Sequence, residues 1–484
     1  MSELIDDRPA AAGAQPPEPT GRSLGAWWWS DLRPLLLRLH FYAGLLVGPF
    51  ILVAATTGLL YTITPQLDQL IYRDALRTGT ASAQLPLTDQ VTAAAAAVPG
   101  GTVIEIRPPR EPDGTTRVTF DIPGLKPDFA RTAFVDPGTG QVRAVLDTYG
   151  EWLPVRAWID ELHRNLHLGD VGRVYSELAA SWLWVLALSG LGMWVARRRR
   201  RARVRRTLLP ERSATGRSRL LSWHGAVGLW AATGMVFLSV TGLTWSNFGG
   251  GNIGDLRSAL DWTTPSVSQK LPAVAGAAPV TDPGAVGTTA DRVLGGARAA
   301  GLPGPVEIVP GEAGQAWRVV QIQRSWPTQQ DAMAIDPSTG AVLDTVRFAD
   351  WPAAAKLARW GVDAHMGLLF GWVSQLALIA LALGIICMVI WGYRMWWLRR
   401  PTRPGVRAPV GTQRPRAAAV ALVGVVAIAA GVLFPVLGVS VLLFLAVDAA
   451  RQHLRPAPGQ DTGPAPDPGA HPDPELGLTP AGEP

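Results

Sequence analysis

The chain has 484 residues, of which 48% are hydrophobic and 17% charged, and its formal net charge is +6 at pH 7. The apolar residues are concentrated in blocks long enough to cross a hydrocarbon core of ~30 Å, which takes about 20 helical residues. The positive charge lies in short segments beside those blocks, whereas acidic residues outnumber basic ones in the longer stretches between them. The composition therefore predicts an integral membrane protein with no nucleic-acid partner.

Apolar segments predict four membrane spans and a shorter helical hairpin. We place the spans at 35–63, 178–195, 220–245 and 368–393, and the hairpin at 417–447 with a bend at Pro435. The N-terminal segment lacks the apolar core of a cleavable signal peptide, so the first span is expected to act as an uncleaved anchor. Both ends of the chain are rich in Pro, Gly and Ala and predict disordered tails.

Arginine placement predicts the orientation, because short basic loops stay in the cytoplasm. The segment "ARRRRRARVRR" follows the second span and "RMWWLRRPTRPGVR" follows the fourth. Both termini are therefore expected in the cytoplasm, with residues 64–175 and 247–364 outside it.

Cys387 is the only cysteine. A single thiol excludes an intramolecular disulfide, a thiolate-held iron–sulfur cluster and covalent haem attachment through C-x-x-C-H. Any redox cofactor must therefore be held by other ligands.

The sequence predicts an internal duplication. Span one reads "LHFYAGLLVGPFILVAATTGLLYT" and span three reads "WHGAVGLWAATGMVFLSVTGLTW". A constant offset aligns these pairs: His40 with His224, Gly44 with Gly228, Thr57 with Thr241, and Gly58 with Gly242. Both copies are expected to begin in the cytoplasm, so they are parallel repeats related by a pseudo-two-fold axis along the membrane normal. Equivalent residues then lie at equal depth.

The two external segments share an order of predicted elements. Each has a helix ("TDQVTAAAAAV", capped by Thr88, and "TTADRVLGGARAA"), two strands, and a third strand that ends in Asp-Pro-x-Thr-Gly at Asp136 or Asp336. Pro presets a turn and Gly accepts a positive φ, so this motif predicts a hairpin turn into one more strand. The segments are expected to be small α+β modules, for which a purely structural spacer is the alternative role.

The histidines carry the functional prediction. The stretch "ELHRNLHLGD" places His163 and His167 four residues apart, on one face if it is helical. One of them is expected to face His365 near the outer surface, while His40 and His224 meet near the cytoplasmic one. A lone interfacial histidine is commonly a polar anchor, but paired ionisable groups in a membrane mark function.

Paired imidazoles suit a metal ion or a haem iron. Zinc normally recruits four ligands, with Cys, Asp or Glu among them. Two axial imidazoles, by contrast, complete the coordination of a haem iron, because the porphyrin supplies its other four nitrogens. Gly44 and Gly228 follow their histidines by about one turn and would leave room for a porphyrin; helix packing through small residues is the alternative explanation. We therefore predict two non-covalent b-type haems (haem b), one near each face.

Two haems would form an electron path across the membrane. The predicted cytoplasmic loops are too short for a nucleotide-binding domain, and "GGGNIG" at 249–254 is not a G-x-G-x-x-G motif. The electron donor is therefore expected to be a partner protein or a membrane quinol.

These motifs resemble the PepSY-associated transmembrane family, also described as PiuB-like iron-regulated membrane proteins. The resemblance covers residues 33 to about 400 and rests on "RLHFYAGL", the two Asp-Pro-x-Thr-Gly hairpins, "LHRNLHLGDVGRVYSELAASW" and "HMGLLFGWVSQ". Members are implicated in iron acquisition, and some resemble di-haem reductases of ferric siderophores. The resemblance implies a ferric-siderophore reductase of the bacterial cytoplasmic (inner) membrane, with a ferric chelate as its external partner.

The resemblance also implies haem ligands at His40, His224 and His365. For the fourth ligand, the family's L-H-x-x-L motif favours His163, whereas an alignment of Gly172 with Gly371 brings His167 close to His365. A competing function remains, because PepSY-type domains can bind and inhibit peptidases. That function would be a membrane-tethered regulator without redox activity.

The predicted fold is an α-helical membrane protein of two parallel repeats, each a helix, an extracytoplasmic α+β PepSY-like domain and a helix, forming a four-helix core with a C-terminal helical hairpin. The predicted boundaries are tails at 1–30 and 451–484; transmembrane helices at 31–63, 163–196, 220–246 and 365–397; PepSY-like domains at 64–162 and 247–364; basic cytoplasmic segments at 197–219 and 398–416; and the hairpin at 417–450.

Overall fold

The computed structural model describes residues 24–79, 83–198, 208–271, 280–398 and 417–453. Most of the predicted tails and of the two arginine-rich segments lies outside these ranges. The described residues are mostly helical and include an antiparallel sheet.

Helices and strands alternate in blocks along the chain. The helices are α1 (Leu24–Leu46), α2 (Gly48–Thr62), α3 (Thr64–Ile71), α4 (Arg73–Leu76), α5 (Leu87–Ala97), α6 (Pro154–Asn165), α7 (Gly169–Arg198), α8 (Gly216–Leu243), α9 (Phe248–Ala259), α10 (Pro283–Ala299), α11 (Ala353–His365), α12 (Trp372–Trp397), α13 (Ala417–Leu433) and α14 (Pro435–His453). The strands are β1 (Thr102–Arg107), β2 (Thr116–Asp121), β3 (Phe129–Val135), β4 (Val142–Tyr149), β5 (Val306–Val309), β6 (Trp317–Gln321), β7 (Ala332–Ile335) and β8 (Val342–Val346).

Three helices among the described residues, α7, α8 and α12, are long and apolar enough to cross a membrane. The pair α1 and α2 makes a fourth span if it is counted as one. α7 packs against α8, and α12 packs against α2 and α8. Their buried apolar side chains, with those of α13 and α14, form one core; it includes Leu39, Ala43, Trp182, Met235, Ile385 and Leu437.

The first span is bent, where the sequence predicted one continuous segment. α1 and α2 meet at 59°, with Val47 between them. Pro49 lies in the first turn of α2, where it has no N–H to donate and its ring crowds the preceding turn. His40 therefore lies on α1, while Thr57 lies on the differently inclined α2. The hairpin of α13 and α14 turns at Pro435, the predicted position.

The eight strands form one antiparallel sheet in the order β4-β3-β2-β1-β5-β6-β7-β8. The sequence predicted two separate modules, but β1 and β5 pair with each other at Ile106 and Ile308. Pairing these two edges satisfies backbone groups that would otherwise be exposed on each half. α5 and α10 cover one face of the whole sheet, over a shared core that includes Val91, Phe120, Val293, Ile308 and Val319.

The Asp-Pro-x-Thr-Gly turns have the same hydrogen bonds in the two halves of the sheet. Asp136 accepts hydrogen bonds from the backbone of Gly138 and Thr139, and Asp336 does the same for Ser338 and Thr339. Both Asp-Pro-x-Thr-Gly motifs therefore form the predicted hairpin turns, with positive φ at Gly140 and Gly340.

The predicted cap at Thr88 is wrong, because α5 begins at Leu87. The carboxylate of Asp291, on α10, accepts the backbone N–H groups of Leu87 and Thr88 at 2.8 and 3.0 Å. A side chain of the second half thus satisfies the exposed helix start of the first half.

α6 and α11 lead from the last strand of each half of the sheet towards α7 and α12. α6 ends at Asn165, and Leu166 and His167 both have left-handed backbones, with φ of 55° and 56°. The prediction that His163 and His167 share a helical face is therefore wrong, because the helix ends between them. A Cβ at Gly172 would lie 1.7 Å from the carbonyl oxygen of Asn165, so only glycine lets α7 approach the end of α6 this closely.

Candidate functional site

His40 on α1 and His224 on α8 form the first histidine pair. Their ring centres lie 6.4 Å apart and their ring planes are perpendicular. Nδ1 of His224 lies 3.0 Å from the carbonyl oxygen of Met388, so it must donate a proton to that acceptor. Nδ1 of His40 lies 2.9 Å from Oγ of Ser189. That hydroxyl donates to the carbonyl of Leu186, so it accepts from His40.

His163 on α6 and His365 on α11 form the second pair, and the two rings lie close enough to interact electrostatically. Nδ1 of His163 lies 3.0 Å from Oγ1 of Thr57, and Nδ1 of His365 lies 2.6 Å from Oγ1 of Thr241. Each threonine hydroxyl donates to a carbonyl one turn earlier in its own helix, that of Val53 or Phe237. Each hydroxyl therefore accepts the proton on the histidine Nδ1.

All four rings consequently carry their proton on Nδ1, which leaves the lone pair of Nε2 for a metal. This is the usual arrangement of metal-binding histidines, in which a hydrogen bond on the other ring nitrogen fixes the tautomer and the ring orientation. The pairs lie about 25 Å apart along α8, from His224 to Thr241, which approaches the ~30 Å thickness of a hydrocarbon core.

Small residues lie against three of the rings. A Cβ at Gly58 would lie 3.1 Å from Cε1 of His163, one at Gly190 would lie 3.2 Å from Cε1 of His40, and one at Gly242 would lie 3.6 Å from Cε1 of His365. Of the glycines predicted to make room for a cofactor, Gly44 faces open space, whereas a Cβ at Gly228 would lie 3.2 Å from Sδ of Met388.

His167 lies apart from both pairs. Its Nδ1 lies 3.1 Å from Oε2 of Glu161, and its ring lies 4.8 Å from that of Trp158. Two arginines near this stretch have partners of their own: Arg164 donates to the hydroxyl of Tyr149 at 3.1 Å, and Arg173 donates to the carbonyl of Trp245 at 2.6 Å. Of the two histidines in the "HRNLH" stretch, the structure brings His163 to His365.

The separation of the first pair matches the one expected if both rings bound a single metal ion through Nε2. Metal–imidazole bonds of about 2.0–2.1 Å, with ~1.2 Å from each nitrogen to its ring centre, place the two ring centres about 6.5 Å apart. The observed separation is 6.4 Å. Among the described residues, no three His, Cys, Asp or Glu side chains converge as a group that could hold a metal ion, so the histidines meet only in pairs.

A buried charge network connects the sheet to the helix that carries His365. Arg324, in the loop after β6, lies 2.5 Å from Glu151 and 2.7 Å from Asp363. Asp363 precedes His365 by two residues on α11, is fully buried and also pairs with Arg359. Burial raises the pKa of Glu151, but the nearby arginines, Arg324 foremost, more than offset this and bring the pKa to about 2. Glu151 is therefore ionised at neutral pH.

Several residues of the site have roles that the sequence did not predict. Thr57, Thr241, Gly58 and Gly242 were visible as matched positions of the two apolar repeats, which is the signal that could have found them. Ser189 and Arg324 carried no such signal, because their partners lie far away in the sequence.

Helices long and apolar enough to cross a membrane, a sheet domain joined to them by α6 and α11, and two pairs of partly buried histidines define a membrane protein. The chain belongs to the family described as the PepSY-associated TM region, which matches residues 37–399. No protein of curated function matches the chain in sequence.

Proposed function

We propose that the protein is a b-type di-haem oxidoreductase that passes electrons across the bacterial cytoplasmic membrane to a ferric chelate outside. One observation carries this proposal: four partly buried histidines, in two pairs about 25 Å apart along α8, all donate through Nδ1 and so leave Nε2 for a ligand. A regulator without redox activity has no use for such pairs.

Four residues would hold the cofactors. His40 and His224 would bind one haem, and His163 and His365 the other. A haem iron bound by two imidazoles supplies one-electron oxidation and reduction. The residues of this chain do the rest: Ser189, Thr57, Thr241 and the carbonyl of Met388 accept the Nδ1 protons and keep each ring in one tautomer. The flanking glycines let three of the rings lie against neighbouring helices.

The orientation and symmetry belong to the same proposal. Both termini lie in the cytoplasm, and the sheet domain lies outside, as the flanking arginines favour. Parallel duplication is supported by the matching hydrogen bonds that Thr57 and Thr241 accept from their histidines, and by the four antiparallel strands on each side of the β1–β5 junction. The second pair is then the outer one, next to the sheet domain.

The proposed reaction transfers one electron at a time from the donor to the ferric chelate. Each ferric ion in the chelate accepts one electron and becomes ferrous. A quinol or a reduced protein on the cytoplasmic side supplies the electrons, and a quinol that gives up two electrons also releases two protons.

The test uses purified protein in sealed liposomes. After reduction with dithionite and removal of the excess, a ferric chelate that cannot cross the bilayer should reoxidise the protein and yield one ferrous ion per electron. His365→Ala should lose this response, while Thr56→Val, a control at a hydroxyl that bonds within its own helix, should keep it. Reoxidation by oxygen without a response to any ferric chelate would overturn the proposed acceptor.

A further inference from the structure

α6 and α11 each carry a tryptophan at the same distance before the histidine that the helix contributes to the second pair. Trp158 precedes His163, and Trp360 precedes His365, by five residues. The two tryptophans have different surroundings, although the elements around them correspond. That difference leaves a groove on the first half of the sheet domain that is filled on the second half.

On the second half, Trp360 is covered by the loop between β6 and β7. The ring centre of Trp326, in that loop, lies 5.6 Å from that of Trp360, and the indole N–H of Trp360 donates to Thr328 at 3.2 Å. Phe348 packs at 5.9 Å against the same ring. An aromatic side chain of the protein itself therefore occupies the surface of Trp360.

On the first half, the corresponding loop lacks this side chain. The alignment that matches Asp136 with Asp336 also matches Lys126-Pro127 with Trp326-Pro327. Lys126 has a side chain that is 71% exposed and reaches to 3.7 Å from Glu161. Trp158 consequently stays 56% exposed, and the ring of His167 lies 4.8 Å from it, tilted by 32°.

The space beside Trp158 is a groove of about 790 Å³, within the range of about 300–1,000 Å³ that small-molecule sites occupy. Its lining is mainly apolar and includes Leu125, Phe129 and Trp158, and its charged groups are two cations, Lys126 and Arg131, and two anions, Asp147 and Glu161. Arg131 is paired with Asp147 at 2.7 Å, so the apolar aromatic surface is the main feature available to a ligand.

We propose that this groove binds the planar aromatic ring of a ferric chelate of the catecholate class, in the place that the Trp326 indole takes on the second half. This rests on the proposed function, whose substrate class it names. Trp158 and Phe129 would contact the ring. The exposed ammonium of Lys126, which lies 3.7 Å from Glu161 and 5.7 Å from the centre of the Phe129 ring, would turn from them to the anionic catecholate oxygens. Residues five positions apart on a helix point about 140° apart, so the chelate would lie across α6 from His163.

The test measures binding to the purified full-length protein by equilibrium dialysis. Ferric tris-(2,3-dihydroxybenzoate) is the probe, and ferric acetohydroxamate is the comparison chelate, which has no aromatic ring. The wild type should prefer the catecholate. Trp158→Ala should bind it at least tenfold more weakly, while Trp262→Ala, a control at another exposed tryptophan, should bind it normally. Lys126→Trp, which supplies the indole of the second half, should also bind at least tenfold more weakly.

Lys126→Trp both fills the groove and removes the ammonium, whereas Lys126→Ala only removes the ammonium, so comparing the two variants shows the effect of filling on binding. Lys126→Ala should bind the catecholate more tightly than Lys126→Trp, and equal binding by the two variants would overturn the inference. Normal catecholate binding by Trp158→Ala with its haem intact would also overturn it and leave the proposed function standing. The predicted binding pattern in a wild type without haem would instead contradict the proposed function alone.

Discussion

The ring centres of His40 and His224 lie 6.4 Å apart, and the ring planes are perpendicular. Each ring donates from Nδ1 to an acceptor on another helix. The acceptors are Ser189 on α7 and the carbonyl of Met388 on α12. Four helices therefore fix the position and tautomer of this pair. Each ring thus keeps the lone pair of Nε2 for a ligand, which is what the proposed haem site requires.

The threonines that hold the second pair give the first prediction. Thr57→Val or Thr241→Val removes the acceptor for His163 or His365, so each should weaken retention of one haem by about 10–100-fold, the usual effect of losing such a partner. Thr56→Val is the matched control, because Thr56 bonds only to the carbonyl of Leu52 in its own helix. Haem titration of the apo-protein measures the effect, and equal retention in Thr57→Val and Thr56→Val would contradict it.

Arg324 gives a prediction on stability. Arg324→Gln leaves the carboxylates of Glu151 and Asp363 with fewer partners in a buried site, which should lower the free energy of unfolding by about 3–5 kcal/mol. Arg131→Gln breaks a more exposed pair with Asp147 and should lower the free energy of unfolding much less, because water screens exposed ion pairs. Denaturant unfolding in detergent compares the two, and similar losses for both variants would show that the Arg324 network is not a buried support of α11.

Asp68 gives a prediction on pH. Burial, opposed by Arg156 and Arg117, raises its pKa from 3.8 to about 6, so protonation of this carboxyl stabilises the folded state. A raised pKa means that the folded state holds the proton more tightly, so this stabilisation is present below about pH 4 and is lost as the pH rises through 6. Asp68→Asn should therefore be more stable than the wild type at about pH 7.5 and should lose that advantage at about pH 4. Melting temperatures that differ equally at both pH values would contradict this assignment.

The orientation gives a prediction on topology. Reporter fusions at Asp89 and Asp291 should be extracytoplasmic, and one at Arg205 should be cytoplasmic, because of the arginine asymmetry. An external signal at Arg205 would reverse the assignment of inner and outer histidine pairs.

Local and repeated sequence signals predicted much of this molecule. The Asp-Pro-x-Thr-Gly turns follow from residue preferences within five positions, and the spanning helices α7, α8 and α12 follow from runs of apolar residues. The repeat alone aligns His40 with His224. These features depend on short-range preferences or on matched patterns, which a sequence displays directly.

Other features depend on distant partners. The joining of β1 to β5 and the cap that Asp291 supplies to α5 arise between segments about two hundred residues apart. The end of α6 depends on Leu166 and His167, two residues that rarely adopt positive φ. A periodic pattern could not reveal that break, so it could not separate His163 from His167.

The haem content per chain tests most directly whether the paired histidines hold two haems. It is measured as the pyridine haemochrome in the purified protein and its histidine variants. The wild type should hold two haems, and each of His40→Ala, His224→Ala, His163→Ala and His365→Ala should lose one. His167→Ala, whose side chain lies against Trp158 and Glu161, should keep both. A colourless wild type, or full haem content in His163→Ala with a loss in His167→Ala, would contradict the account.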